Sequence, residues 1–136
     1  MNLLKSMMIA AAGMTAQSSR MRIIAENLAN ANSTAQSKDA DPYRRRVPTF
    51  KNELDRNMGV DIVKMDKVVT DKSAFSSRYE PGHPAADAQG YVKMPNVNSL
   101  VEMMDMKDAQ RSYEAGLNVI NAARNMMART IDLLRS

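Results

Sequence analysis

Apolar residues recur at alternating steps of three and four along the first part of the chain. They are Leu4, Met7, Ala11, Met14, Ser18, Met21, Ala25 and Leu28, with Ser18 the polar interruption. This spacing predicts a helix that keeps one stripe against a partner helix. Gly13 costs such a helix about 1 kcal/mol relative to Ala unless close backbone approach needs it. The short polar side chains of Asn30-Ala31-Asn32-Ser33 compete for the backbone and end the helix there. A second stripe, Met103, Met106, Tyr113, Leu117, Ile120, Met127, Ile131 and Leu134, predicts another long helix that runs almost to Ser136. Gln110 and Arg124 are its polar interruptions. Ser99, with Glu102 three residues on, reads as the capping box that starts it.

Between the helices the periodicity changes. Residues 34–41 are polar and aperiodic, which predicts a loop. Tyr43 to Phe50 is extended, and Pro48 confines it to a sheet edge or an irregular strand. Val60-Asp61-Ile62 alternates with period two after Gly59 and predicts a strand. Phe75 to Tyr79 and Tyr91 to Met94 are two more short strands. They are bounded by Glu80-Pro81-Gly82-His83-Pro84 and by Pro95. The predicted fold class is mainly α with a small β-rich middle. Its three parts are residues 1–33, the N-terminal helix; 34–96, loop and β-rich segment; and 97–136, the C-terminal helix.

Each stripe must bury its apolar face against something. Two helices packed on each other alone leave Leu3, Ile9, Ile23, Ile24, Leu100, Met104, Val119 and Met126 partly wet. That surplus predicts further helices from other chains. The expected assembly interface is Leu4, Met7, Ala11, Met14, Met21 and Leu28 on the first helix. On the second it is Met103, Met106, Tyr113, Leu117, Ile120, Met127, Ile131 and Leu134.

Composition fits a mating surface and a Met-rich core equally well. The chain has 13 Met, no Cys, no Trp and 4% aromatic residues. Met is flexible and adapts to irregular partners, whereas rigid aromatics dominate self-sufficient cores. The absence of cysteine removes disulfide and thiolate-metal chemistry. The formal charge of +4 comes from interspersed Lys, Arg, Asp and Glu. The start, Met1 to Ala12, loosely mimics a signal peptide, but its Lys5 falls among apolar residues and the helical pattern runs on, so no cleavage is expected. No apolar run approaches the ~18 residues of a membrane span.

Reactive chemistry is sparse. His83 is the sole histidine, in a turn between Gly82 and Pro84, and it has neither matched metal ligands nor a nucleophile-elbow motif. The five glycines form no phosphate loop. Asp105 and Asp108, with Lys107 between them, look like a solvated helix face. Arg44-Arg45-Arg46 is the one basic run, and an extended backbone would split it across two faces. Contacts to acidic groups of neighbouring subunits are expected there, and nucleic-acid binding is not. No enzyme activity and no cofactor are expected.

Several stretches resemble a known family. Ala12-Gly13-Met14-Thr15-Ala16 and Arg20-Met21-Arg22-Ile23-Ile24-Ala25-Glu26-Asn27-Leu28-Ala29-Asn30-Ala31-Asn32 resemble the N-terminal signature of flagellar rod and hook proteins. Three further pieces are similar to the flagellar basal-body rod protein family, and to its proximal-rod members. They are Pro42-Tyr43-Arg44-Arg45, Tyr79-Glu80-Pro81-Gly82-His83-Pro84 with Gly90 to Asn98, and Glu102-Met103-Met104-Asp105-Met106 leading to Arg111-Ser112-Tyr113-Glu114-Ala115. Gly116, Ser112 and residues 35–40 depart from the pattern. The resemblance implies terminal helices packed in the coiled-coil-like inner layer of a tube, with the middle segment outside. It also implies export through the flagellar export apparatus without a cleaved signal, and a place in the periplasm-spanning rod. The implied partners are other rod proteins and copies of the chain, with no nucleic acid and no direct membrane insertion.

Overall fold

The first helix, α1, spans Leu3–Ala29. Asn2 caps it, its Oδ1 accepting from the Leu4 N–H at 3.0 Å. Polar residues end it as expected. The Asn30 amide donates to the Glu26 carbonyl at 2.8 Å, and the Ser33 hydroxyl donates to the Asn30 carbonyl at 2.8 Å. The second helix, α2, spans Ser99–Arg135. Its cap is Asn98, whose Oδ1 accepts from Leu100 N–H at 3.1 Å and Val101 N–H at 3.4 Å. The predicted capping box at Ser99 is therefore displaced by one residue, and Glu102 is released from capping into the interior.

Four strands lie between the helices. β1 (Arg46–Asp55) and β2 (Val60–Thr70) form one two-stranded sheet, and β3 (Ser76–Tyr79) and β4 (Tyr91–Met94) form another. Pro48 sits in β1, at a sheet edge as anticipated. The β1–β2 turn is closed by Asp55, whose Oδ1 accepts from Asn57 N–H at 2.9 Å, and by Gly59 at a φ of 64°. β3 and β4 are antiparallel, with Ser76 opposite Met94 and Tyr79 opposite Tyr91. Tyr79 and Tyr91 meet edge to face with centroids 5.3 Å apart. Gly90, at a φ of 89°, lets the turn pass beneath them: a Cβ there would stand 2.9 Å from the Tyr79 ring.

The structure, a computed structural model, describes residues 2–136. The chain divides into two compact units, and both helices and the β1–β2 sheet contribute to each. One unit comprises Met1–Met21, Thr49–Lys67 and Lys107–Ser136. In it, Gly116 of α2 sits against Met14 and the Ala10 carbonyl of α1. Ala109 and Ala123 are buried on α2 at seven-residue steps from Gly116. The small residues that the sequence places at these steps are what let the two backbones come close.

The other unit comprises Arg22–Pro48 and Val68–Met106. Its apolar core includes Ala85, Val92 and Met94, with Ala35 and Ala86 packed on them. Ile23 and Ile24, expected to be partly wet, are only 1% and 3% exposed. The face that α1 turns inward here is therefore Ile23, Ile24 and Asn27, followed by the buried Ala31 of the turn, and the expected stripe turns Ala25 to solvent.

Candidate assembly surface and the polar node behind it

Asn27 and Glu102 are each 1% exposed and are the buried polar side chains of the second unit. All four hydrogen-bonding positions of the Asn27 amide are used. Its Oδ1 accepts from the Tyr43 hydroxyl at 2.7 Å and from Arg46 N–H at 2.9 Å. Its Nδ2 donates to the Arg46 carbonyl at 2.8 Å and to Glu102 Oε2 at 3.3 Å. A flipped amide would set donor against donor at Arg46 N–H, so the network itself fixes the orientation.

The other Glu102 oxygen accepts from Arg45 Nε. Arg45 also reaches Asp105 at 3.5 Å and Asp71 at 3.7 Å. Its backbone N–H donates to Asn96 Oδ1 at 2.8 Å, and the Asn96 amide continues to the Asp71 carbonyl at 3.0 Å. Arg46 pairs with Glu26 at 2.9 Å, and Arg44 lies 4.1 Å above the Phe75 ring centroid. No buried side-chain polar atom among the described residues lacks a partner. Such a fully satisfied network rigidifies the fold that holds it.

Protonation follows from these contacts. Burial pushes the Tyr43 phenol above its ordinary value; Arg46 opposes the rise, and Glu26 and Glu102 add to it. The hydrogen bond to Glu102 holds the Arg45 guanidinium still more firmly protonated. Hydrogen bonds from Ser73, followed by Arg45, hold Asp71 below the usual carboxylate range.

Residues from several of the pieces of sequence that carried the family resemblance meet in this node: Asn27, Tyr43 with Arg45, Asn96, and Glu102 with Asp105. Two expectations change as a result. Arg45 and Arg46 pair with acidic groups of their own chain, and Asp105 belongs to the node instead of to a solvated face. Arg44 and Arg45 both reach Asp71, Arg44 at its carbonyl and Arg45 at its carboxylate, while Arg46 turns to Glu26.

His83 is a turn residue. Its Nδ1 accepts from Ala85 N–H at 3.0 Å, so in the neutral ring Nε2 carries the proton and donates to Thr34 Oγ1 at 3.0 Å. No group of three or more metal-ligating side chains occurs among the described residues. No helix is long and apolar enough to cross a membrane.

The predicted stripe residues fall into two sets. Met7, Met14, Met21, Leu28, Met106, Tyr113 and Ile120 are half-buried within the chain. Ala11 and Met14 share with Tyr113 and Ile120 the walls of a groove of about 350 Å³. Leu4, Ala11, Met103, Leu117, Met127, Ile131 and Leu134 are exposed. So are Met8, Ile9, Leu100, Met104, Val119 and Met126. Large apolar side chains are thus exposed along both helices. Sequence reasoning missed Ala109, Gly116 and Ala123, which hold α2 to α1 in the first unit. The signal was their seven-residue repeat of small side chains.

Comparison with known proteins agrees with these features. A family described as flagella basal body rod protein matches residues 7–35. A second, described as flagellar basal body rod FlgEFG protein C-terminal, matches residues 88–133. The flagellar basal-body rod protein FlgC of Agrobacterium fabrum is 53% identical over 94% of this chain and 92% of its own length. That of Escherichia coli O6:H1 is 41% identical over 98% of both. That of Bacillus subtilis is 34% identical over 94% of this chain and 95% of its own.

Proposed function

The chain belongs to the FlgC family of flagellar basal-body rod proteins, and on that footing we propose that it is a structural subunit of the rod which works by assembly and catalyses nothing. The observation that carries this reading is the heptad-spaced apolar surface left exposed on both terminal helices, with Leu4 and Met103 on one side of the count and Ile131 and Leu134 on the other. A subunit in a helical tube binds its neighbour through one patch and is bound through a different one, with a rotation that never closes. Two separate exposed stripes suit that requirement.

In this reading residues 1–33 and 97–136 form the inner layer, pairing as coiled coils with other rod proteins and with copies of the chain. Residues 34–96 lie outside it. The rod so built transmits torque across the periplasm in the proximal basal body. The subunit reaches it through the export apparatus without a cleaved signal, and binds neither nucleic acid nor the membrane interior. The assembly residues are the two stripes predicted from sequence, now divided by exposure. Leu4, Ala11, Met103, Leu117, Met127, Ile131 and Leu134 meet neighbours, while Met14, Tyr113 and Ile120 set the helix pair that presents them.

The test is electron microscopy of basal bodies from a strain lacking the chain, complemented with wild type or with Leu4→Asp and Ile131→Asp variants. Basal structures that stop short of the rod in the deletion and in both variants are expected. Normal rods and swimming cells in the deletion strain would overturn the reading. The two substitutions fall on exposed positions, so circular dichroism of the purified variants separates lost assembly from lost folding.

A further inference from the structure

Peroxides have one kind of target on this chain. The sequence holds 13 Met and neither Cys nor Trp, so its readily oxidised side chains are thioethers. The fold sorts them. Met8, Met103, Met104, Met126 and Met127 are between 37% and 61% exposed. Met94 is buried, and Met7, Met14, Met21, Met58, Met65 and Met106 are half-buried. Every exposed methionine among the described residues therefore lies on α1 or α2, while those of the β-rich middle are shielded.

A change of polarity at the exposed set would be felt outside the fold and little within it. None of the five is among the buried residues that form the core. Met103 and Met127 belong to the apolar stripe of α2, and Met104 and Met126 stand beside them on the adjoining face, since neighbours along a helix diverge. Two adjacent pairs thus cover more of the helix surface than one column could. An apolar contact is served as well by leucine, which the chain uses at Leu4, Leu117 and Leu134. A thioether adds what leucine lacks, reversible conversion into a polar sulfoxide.

We infer that Met8, Met103, Met104, Met126 and Met127 are sites of reversible oxidation by hydroperoxides, which leaves the subunit folded but unable to assemble. The inference rests on the rod-subunit reading and concerns the subunit before assembly, when these side chains face solvent. In the forward step the methionine sulfur gives an electron pair to one peroxide oxygen. The S–O bond forms as the O–O bond breaks, and the other oxygen leaves with the protons as water. Sulfur is oxidised by two electrons and the peroxide reduced by two. In the return step a thiol-dependent sulfoxide reductase removes the oxygen as water while two of its thiols become a disulfide. The sulfoxide makes a flexible apolar group polar, which disrupts Met-rich contacts.

The full-length chain can be treated with limiting hydrogen peroxide and mapped by peptide mass spectrometry. The five exposed methionines should each gain one oxygen at least about tenfold faster than Met94, with circular dichroism and thermal melt unchanged. Methionine sulfoxide reductases for both sulfoxide epimers, with dithiothreitol, should remove the oxygen again. In cells, expression of the chain can be switched on in a deletion strain during a sublethal peroxide pulse, and rods counted by electron microscopy. Wild type should build at least about threefold fewer rods in the pulse than a variant with leucine at all five positions, a volume-conserving change. Met103→Leu with Met127→Leu alone should recover part of that difference. Oxidation spread evenly over exposed and buried methionines, or unfolding with the first oxygens, overturns the inference. So do equal rod numbers for wild type and both variants in the pulse. Those results leave the rod reading standing, whose own failure shows separately as normal rods in the deletion strain without peroxide.

Discussion

Removing Arg45 should cost the fold more than removing Glu102, although the two share one ion pair. The reason is the unequal environment of the partners. Glu102 is 1% exposed, and without Arg45 its carboxylate keeps only the Asn27 amide at 3.3 Å. Breaking a buried pair from the side that strands the charge costs about 3–5 kcal/mol. Arg45 retains about a quarter of its side-chain exposure and still has Asp105 at 3.5 Å and Asp71 at 3.7 Å. Glu102→Gln preserves shape and an acceptor for Asn27 but turns its amide N–H toward Arg45 Nε, whose guanidinium keeps Asp105 and Asp71, so it costs about 1–3 kcal/mol. Arg45→Met keeps most of the aliphatic stem, so the comparison isolates charge from packing. Urea unfolding followed by circular dichroism should separate the two variants by about 2 kcal/mol at unchanged slope. Native-state hydrogen exchange of amides in Arg22–Pro48 and Val68–Met106 should show the same order, because the node lies in that unit. A Glu102→Gln loss equal to or above the Arg45→Met loss would refute the argument, as would two variants indistinguishable from wild type.

Other consequences are open to measurement. Gly116→Ala places a Cβ 2.6 Å from Met14 Cγ; overpacking of about 1–3 kcal/mol should outweigh the roughly 1 kcal/mol gained in helix propensity. A double-mutant cycle with Met14→Ala should show marked coupling, and strict additivity would count against the contact. Tyr43 has its phenol pKa raised by burial, so the folded state holds the proton more tightly than the unfolded state. Its contribution is fully present below the ordinary value of 10.0 and is lost as pH rises through the folded value. Stability should therefore fall above pH 10, and Tyr43→Phe should flatten that alkaline limb in thermal melts. Gly90→Ala must combine a φ of 89° with a 2.9 Å approach to Tyr79. It should destabilise the β3–β4 turn by about 1–3 kcal/mol, visible as faster amide exchange at Tyr79 and Tyr91 and absent if the turn can relax.

The elements were legible because their periods are clean. Both helices and all four strands lie near where alternation, heptads and Pro or Gly punctuation put them; β1 is shifted from 43–50 to Arg46–Asp55, β2 runs on to Thr70, and β3 begins at Ser76. The choice of inward face was harder. On α2 the column Tyr113–Ile120 served both the predicted stripe and the observed one. Its companion column was read as Leu117 and Ile131, whereas the structure uses Ala109, Gly116 and Ala123. Large apolar side chains signal burial by transfer energy, but a close helix contact selects small ones, and hydropathy is silent about that. Ile23 and Ile24 were misplaced for a related reason, since a covering layer supplied by residues far along the chain leaves no mark on local periodicity. The node was visible only as motifs. That Asn27, Arg45, Asn96 and Glu102 would meet depends on separations of up to 75 residues, which no local pattern encodes.

The saturation of the Asn27 amide also bears on how this position can vary under mutation. Two donors and two acceptors in one planar group belong to asparagine and glutamine alone, and the longer side chain of glutamine would have to displace Tyr43 or Glu102 to fit. In the genetic code no single nucleotide change converts an asparagine codon into a glutamine codon. The residues one step away, among them aspartate, serine, histidine and lysine, each leave at least one of the four hydrogen-bond partners of the amide without its match. Drift at this codon therefore has no gradual exit, and Asn27 is held in place by the shape of the code as much as by the energy of the fold.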